Sequence, residues 1–439
     1  MKLENPVHVN PFKARRARLA RELADGIVVL PTAPERARNA DTHYDYRWDS
    51  AFYYLTGFRE PEAVLVMTLG AKPRSILFCR EKNLEREIWD GYRHGPGQAR
   101  ELFAFDEAYP YGELDARMPE LIANRDVVHT PVGSDAAWDQ RVAGWLNAVR
   151  AKVRTGVTAP AQIRDVRAAV NDMRLVKDES ELAVMRRAAS ISSAAHVRAM
   201  RFATPGMREY EVEAELLHEF LKNGARAPAY GSIVAAGANA CVLHYRENAS
   251  ELRRGDLLLI DAGCELDSYA SDITRTFPVA GRFGAVQRDV YELVLASQEA
   301  GIKAVKPGAD FIDYHDAATR VLVQGLIDFK LCKGSVDKVL EDESYKQFYM
   351  HRTGHWLGLD VHDAGDYMQK GKWRKLKPGM VLTVEPGLYI RPAQNVPKAF
   401  WNIGVRIEDD VLVTAKGREI LTAECPKRVK DVEEAVLDR

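Results

Sequence analysis

Apolar residues fall into two kinds of run along the first part of the chain. From Phe12 to Ala24 they recur at helical spacing. Gly26 to Leu30, Glu62 to Leu69 and Ser75 to Cys79 are instead short, nearly continuous apolar runs bounded by polar turns, as buried strands require. Gly70 to Pro73 supplies a Gly/Lys/Pro turn between the last two. The alternation predicts an α/β domain over residues 1–172.

Near residue 172 the pattern changes. Asp178 followed by Glu181 has the form of a capping box and opens a long helical stripe through Leu182, Met185 and Ala189 to Phe202. Thr204-Pro205-Gly206 stops it, and a second helix is expected up to Asn223-Gly224. The plan recurs further on: a helix from Val286 to Val305, a stop at Lys306-Pro307-Gly308, and another helix to about Phe329. Strand patterns with polar punctuation follow each pair. Residues 173–439 therefore read as an α+β domain with an internal pseudo-twofold duplication; two unrelated helix-Pro-Gly-helix units would leave the same trace.

Composition narrows the class. At 439 residues, with 46% hydrophobic and 28% charged positions, the chain suits a two-domain globular enzyme. Lys and Arg total 62 against 63 for Asp and Glu, so neither nucleic acid nor an anionic membrane is expected as a partner held by bulk charge. No apolar run approaches the ~18 residues of a membrane span. Met1 to Gly26 lacks an apolar signal core, and Glu4, Glu22 and Asp25 depart from a transit peptide, so a cytoplasmic location is expected. The five cysteines, Cys79, Cys241, Cys264, Cys332 and Cys425, are scattered without a CxxC pair, which points away from disulfides and thiolate zinc; Cys264 is expected as a buried structural thiol.

Three blocks carry candidate chemistry. In LLLIDAGCELDSYASDITRTFPV an apolar strand ends at Asp261 and another begins near Asp272. A turn centred on residues 266 and 267 would set the two acids opposite one another, ~4.5–5.5 Å apart on one face, where they repel unless a cation intervenes. In MHRTGHWLGLDVHD, three of the eleven histidines, His351, His355 and His362, stand close together beside Gly354, Gly358 and Asp363. The glycines favour a turn leading into a strand over a helix, and the segment is not HExxH. In MVLTVEPGLYI and GVRIEDDVLVT, Glu385 and Glu408 each interrupt an apolar run, where a lone buried charge is costly. Taken singly, these are turn aspartates, core histidines and strand-end glutamates. Together they offer four carboxylates and one imidazole, a donor set that suits two divalent ions, Mn(II) foremost, with Co, Fe or Zn compatible.

Asp261, Asp272, His355, Glu385 and Glu408, in that order and spacing, resemble the ligand set of the pita-bread metallopeptidases, which include methionine aminopeptidase, prolidase and aminopeptidase P. HRTGHWLGLDVHD resembles the group's proline-peptidase signature, and DSAFYYLTGFREPEAVLVM, EIWDGYRHG, CVLHYREN and TVEPGLYI extend the likeness to aminopeptidase P over nearly the whole chain. The resemblance implies a C-terminal pita-bread fold and release of the N-terminal residue from peptides with proline second, by a hydroxide shared between two metal ions. Asp261 would bind one ion and His355 with Glu385 the other, with Asp272 and Glu408 bridging; Glu385 would also move protons. His244 and His362 would hydrogen-bond the substrate carbonyl and the developing oxyanion. His351, Tyr230, Tyr389 and Arg406 match the proline pocket and its carboxylate-orienting network. Trp89 matches a residue covering the mouth of the site from a neighbouring subunit, and the N-terminal domain would serve oligomerisation, a tetramer being implied. Arg352 departs from the glycine common in relatives and bears on the pocket rim. Prolidase activity on Xaa-Pro dipeptides and a non-catalytic peptide-binding protein are the competing readings.

Overall fold

The structure, a computed structural model, describes residues 9–438; Glu4 lies outside the described residues. The chain divides into two compact units, residues 1–174 and 175–439. In the first, a helix spans Val9–Leu23, and a six-stranded mixed sheet runs in the spatial order Glu107–Pro110, Arg74–Cys79, Val64–Thr68, Ile27–Pro31, Val127–Thr130, Gln162–Asp165. Alternate residues Ile27, Val29, Val64, Val66, Ile76 and Phe78 pack on Trp138, Val142 and Trp145 of the helix Ala136–Arg150. Their sequence neighbours Val28, Leu65 and Leu77 are buried as well. Both faces are covered, which is why these strands read as unbroken apolar runs.

In the second unit the helix Glu179–Phe202 begins as its capping box requires. The Asp178 side chain accepts from Ser180 and Glu181 N–H, while Glu181 Oε2 accepts from Asp178 N–H at 2.9 Å. It packs on Glu209–Lys222, and the second pair, Ala285–Ala304 with Asp313–Asp328, repeats the arrangement. A three-stranded antiparallel sheet follows each pair: Ile233–Ala236, Leu257–Asp261 and Thr274–Pro278 after the first, Val381–Val384, Asp409–Thr414 and Gly417–Ile420 after the second. The duplicated plan expected from the two Pro-Gly stops is thus matched by duplicated sheets. Leu258, Ile260, Phe277, Leu388 and Val405, all at 0% exposure, join the helices in one core. Full burial of each such side chain is worth roughly 1.5–3 kcal/mol.

Two local expectations are corrected. The hairpin after Leu257–Asp261 turns at Asp267 and Ser268, both with positive φ, one residue later than expected, so Asp261 pairs with Thr274 rather than Asp272. A turn shifted by one residue moves the register by two, which leaves every side chain on its original face. The segment after Gly354 does not become a regular strand. It runs beside Val381–Val384 with single bonds (Thr383 N–H to His355 O, Leu357 N–H to Val381 O, one bridge at Trp356) and then curls away. All five cysteines are free and buried, and Cys264 donates its thiol to Ala188 O at 3.5 Å. Among the described residues no helix is long and apolar enough to cross a membrane.

Candidate metal centre and substrate pocket

The donors are brought together by strand register. Val381–Val384 pairs with Asp409–Thr414, and Gly387–Ile390 pairs with Ile403–Arg406; the two ladders keep one register and are interrupted only between them. Glu385 and Glu408 therefore stand opposite one another at the interruption. Glu408 N–H bonds Thr274 O at 3.0 Å, and Thr274 is the partner of Asp261. On the other side Glu385 N–H bonds Thr353 O at 2.7 Å, which carries the segment bearing His355. The row Asp261, Thr274, Glu408, Glu385, Thr353 crosses adjoining strands, so five remote segments converge. Gly354 has no room for a side chain here: a Cβ would lie 1.9 Å from Thr383 O.

Asp272, His355 and Glu408 each offer a donor atom, all within 4.8 Å of one another. His355 Nε2 lies 3.4 Å from Asp272 Oδ2 and 3.6 Å from Glu385 Oε1. Its Nδ1–H donates to Trp356 O at 2.9 Å, which leaves Nε2 as the inward ligand atom. Tyr230 O–H spans Asp261 Oδ1 at 2.6 Å and Asp272 Oδ1 at 2.5 Å, joining the remaining acid to the group. Thr274 Oγ1 donates to Glu408 Oε2 at 2.7 Å.

The electrostatics of this set fit cations. Burial, then mutual repulsion with Asp272, pushes the Glu408 carboxyl well above its ordinary range. Burial likewise raises Glu385, to about 7, and Asp272. Burial works against charge on His355, yet its bond to Asp272 and the nearby Glu385 lift it to about 9. Among the described residues Arg406 is the one guanidinium or ammonium group whose side chain bonds these acids, its Nη2 2.6 Å from Asp261 Oδ2. Four carboxylates facing one guanidinium and one imidazole are short of positive charge, and two divalent ions would supply it.

From Asp261 a hydrogen-bond chain leads outward. Arg406 Nη1 donates to Tyr389 OH at 3.0 Å, and Tyr389 bonds His351 Nε2 at 2.9 Å. His351 Nδ1–H donates to Arg352 O at 2.7 Å. Burial first, then the Arg406 charge, holds the His351 imidazole down to about 3, so it is neutral and both nitrogens are engaged. His351, Arg352 and Arg406 line a cavity of about 770 Å³ together with His244 and His362. The His362 ring centroid lies 4.2 Å from that of His355; burial and the His355 charge keep His362 below the usual imidazole range.

The five metal donors, Tyr230, His244, His351, His362 and Arg406 thus line one cavity, and Tyr389, 1% exposed, is tied to it through His351 and Arg406. Trp89 is on the helix Leu84–Asp90 of the N-terminal unit and is 80% exposed. Asp363, singled out beside the histidines, is engaged instead with Lys177 Nζ at 2.9 Å. Thr274, Thr353, Tyr349 and His315 were not legible as part of the site. Thr353 Oγ1 bonds Tyr349 OH at 2.6 Å and His315 Nδ1 at 2.8 Å, bracing the segment on which His355 sits.

An acid-rich centre at the meeting of two duplicated sheets, deep in a peptide-sized cavity, defines a metal-dependent hydrolase, and the chain belongs to metallopeptidase family M24, which it matches over residues 183–415. Residues 12–129 match the N-terminal domain of aminopeptidase P. The chain is 45% identical to the Xaa-Pro aminopeptidase of Escherichia coli, with 96% of each covered. Among solved structures, aminopeptidase PepP of Pseudomonas aeruginosa superposes with a TM-score of 0.97 at 48% identity, covering 98% of each chain. A zinc-substituted aminopeptidase P of E. coli in complex with product gives 0.96 at 43% identity, with 99% of each chain covered.

Proposed function

We propose that this chain is a Xaa-Pro aminopeptidase, removing the first residue of peptides whose second residue is proline. The observation that carries the reading is the convergence of Asp261, Asp272, His355, Glu385 and Glu408 within a cavity also lined by His351 and Arg406, in a chain similar over 96% of its length to a Xaa-Pro aminopeptidase.

Asp261 would hold one divalent ion, His355 with Glu385 the second, and Asp272 and Glu408 both. Two such ions would supply Lewis acidity at the scissile carbonyl and lower the pKa of bound water to about 7. Glu385 accepts the proton of the attacking water on a carboxylate oxygen and returns it to the proline nitrogen as the bond breaks. His244 and His362 hydrogen-bond the carbonyl oxygen as it gains charge. Tyr230 and Arg406 hold the acids in place, and His351 and Arg406 wall the proline ring, with Tyr389 hydrogen-bonded to both. Proline suits such a wall because its nitrogen carries no N–H and its φ is fixed.

The metal is proposed to be Mn(II), for which an oxygen-rich donor set is well matched, with Co, Fe or Zn as substitutes. A cytoplasmic location agrees with the free, buried cysteines. The N-terminal domain is proposed to assemble the chain into a tetramer and to bring Trp89 to the mouth of a neighbour's site. Leu84, Ile88, Trp89 and Tyr92, each more than two-thirds exposed, support that assignment by leaving an apolar surface for a second copy.

Cleavage of a tripeptide series varying the second residue, with Mn(II) added to the purified chain, tests the activity. Hydrolysis of Ala-Pro-Ala and not Ala-Ala-Ala is expected. Turnover of Ala-Pro dipeptide alone would replace the reading by prolidase, and absence of turnover with no metal bound would favour a binding protein.

A further inference from the structure

One end of the cavity is chemically unlike the rest. Its walls are aromatic: the Phe311 ring centroid lies 4.7 Å from that of Tyr367 and 6.5 Å from that of Trp373, the latter pair stacked. Two polar groups open into it without a use in the proposed reaction. The first is Arg352, whose guanidinium carbon stands 5.8 Å from the centre of the Trp373 ring. Among the described residues this guanidinium makes no ion pair and no hydrogen bond, although carboxylates are plentiful deeper in the cavity. A guanidinium resting over an indole keeps its planar fork of donors free for a second partner.

The second is His315, and its tautomer follows from its neighbours. Thr353 N–H donates to His315 Nδ1 at 3.3 Å, and Thr353 Oγ1 lies 2.8 Å from the same atom. Nδ1 therefore accepts, and in the neutral ring the proton sits on Nε2. Tyr349 O–H, 2.6 Å from Thr353 Oγ1, completes the relay by donating to that oxygen. Nε2–H has no partner among the described residues. Burial, and next the Arg352 charge, hold this imidazole down to about 4, so the ring stays a neutral donor over the working pH range.

We infer that Arg352 and His315 form an oxyanion-binding subsite at the aromatic end of the cavity, which selects peptides carrying a carboxylate close to the scissile Xaa-Pro bond. The inference rests on the peptidase reading above and names a substrate class within it. A charged fork and a fixed neutral N–H, both without protein partners, match the two oxygens of a carboxylate. The carboxylate has three possible sources: an acidic side chain on the first residue, one on the third, or the free C-terminus of a tripeptide.

The test compares kcat/KM of the full-length, Mn(II)-supplemented protein on Ala-Pro-Ala amide, Glu-Pro-Ala amide, Ala-Pro-Glu amide and Ala-Pro-Ala with a free carboxylate. At least one acidic peptide should be preferred over the neutral amide by about fivefold at low salt, through KM, and the preference should shrink as ionic strength screens the exposed pair. Which arm responds identifies the source. Arg352→Gln should bring the acidic-to-neutral ratio to about one, and Arg352→Lys, which keeps the charge without the fork, should retain part of it. His315→Asn keeps an acceptor near Nδ1 and has no atom at Nε2; it should lower the ratio while leaving the Arg352→Gln ratio where it was. Equal kcat/KM on all four peptides in the wild type, or an acid preference that survives Arg352→Gln, overturns the subsite while the peptidase reading stands. Failure to cleave even the neutral amide overturns the peptidase reading, and the subsite with it.

Discussion

Lys177 Nζ lies 2.9 Å from Asp363 Oδ2, with both side chains 1% exposed. The pair ties the start of the catalytic domain to the loop that carries His355 and His362, and Gly358 leaves space for it, since a Cβ there would stand 2.2 Å from Asp363 Oδ2. Removing one member of a buried ion pair strands the other without water. Lys177→Met is therefore expected to cost about 3–5 kcal/mol, and Lys177→Met with Asp363→Leu distinctly less than the sum of the two single changes. Urea unfolding of the three variants measures it; additive losses would mean that the two groups act independently.

Glu385 is asked to bind metal and to carry a proton. Glu385→Gln keeps the shape of the side chain and one oxygen but cannot take up a proton. Turnover of Ala-Pro-Ala should fall by about 10³-fold or more, within or beyond the range for loss of a general base, while KM moves little. Steady-state kinetics paired with metal analysis separates the two duties: a variant that is inactive only because it is metal-free has lost a ligand, not a base.

Stripping metal with a chelator should abolish activity and lower thermal stability together, because the four carboxylates are then left to repel one another. Ligand binding to the folded state adds about 2.7 kcal/mol at one hundred times the dissociation constant. Restoring Mn(II) should raise the melting temperature in a concentration-dependent way, and His355→Ala should blunt that response. A melting temperature indifferent to Mn(II) would speak against a cation pair at this centre.

His196 is fully buried in the helix Glu179–Phe202 and donates Nε2–H to Ala262 O at 2.9 Å, next to Asp261. Burial, partly offset by that bond, holds the imidazole down to about 4. The unfolded chain takes up this proton near pH 6.5, whereas the folded chain does so only near pH 4. Stability should therefore fall as pH drops through that window, by at most about 3 kcal/mol from this residue. Denaturant titrations at several pH values check the slope, and His196→Gln should flatten it.

Much of the site could be read before the structure because three of its donors end or interrupt otherwise apolar runs. Asp261 ends LLLID, and Glu385 and Glu408 break VLTV and GVRI. Even the misplaced turn did no harm, since a two-residue slip keeps Asp261 and Asp272 on one face. What could not be read is pairing between remote segments. Nothing local reveals that Glu385 faces Glu408, that Thr274 bonds the latter, or that Asp363 meets a lysine 186 residues earlier. The same limit applies to Arg352: the sequence marks it as unusual, and only the fold shows the aromatic wall behind it and the imidazole beside it.

The interrupted ribbon also dictates the order of events at birth. Asp261 and Asp272 leave the ribosome before His355, Glu385 and Glu408, and it is the segment holding Glu408 that closes the row against Thr274. A nascent chain cannot bring the five donors together until Glu408 has been made. The centre therefore closes by late pairing between distant stretches of chain rather than around a local nucleus.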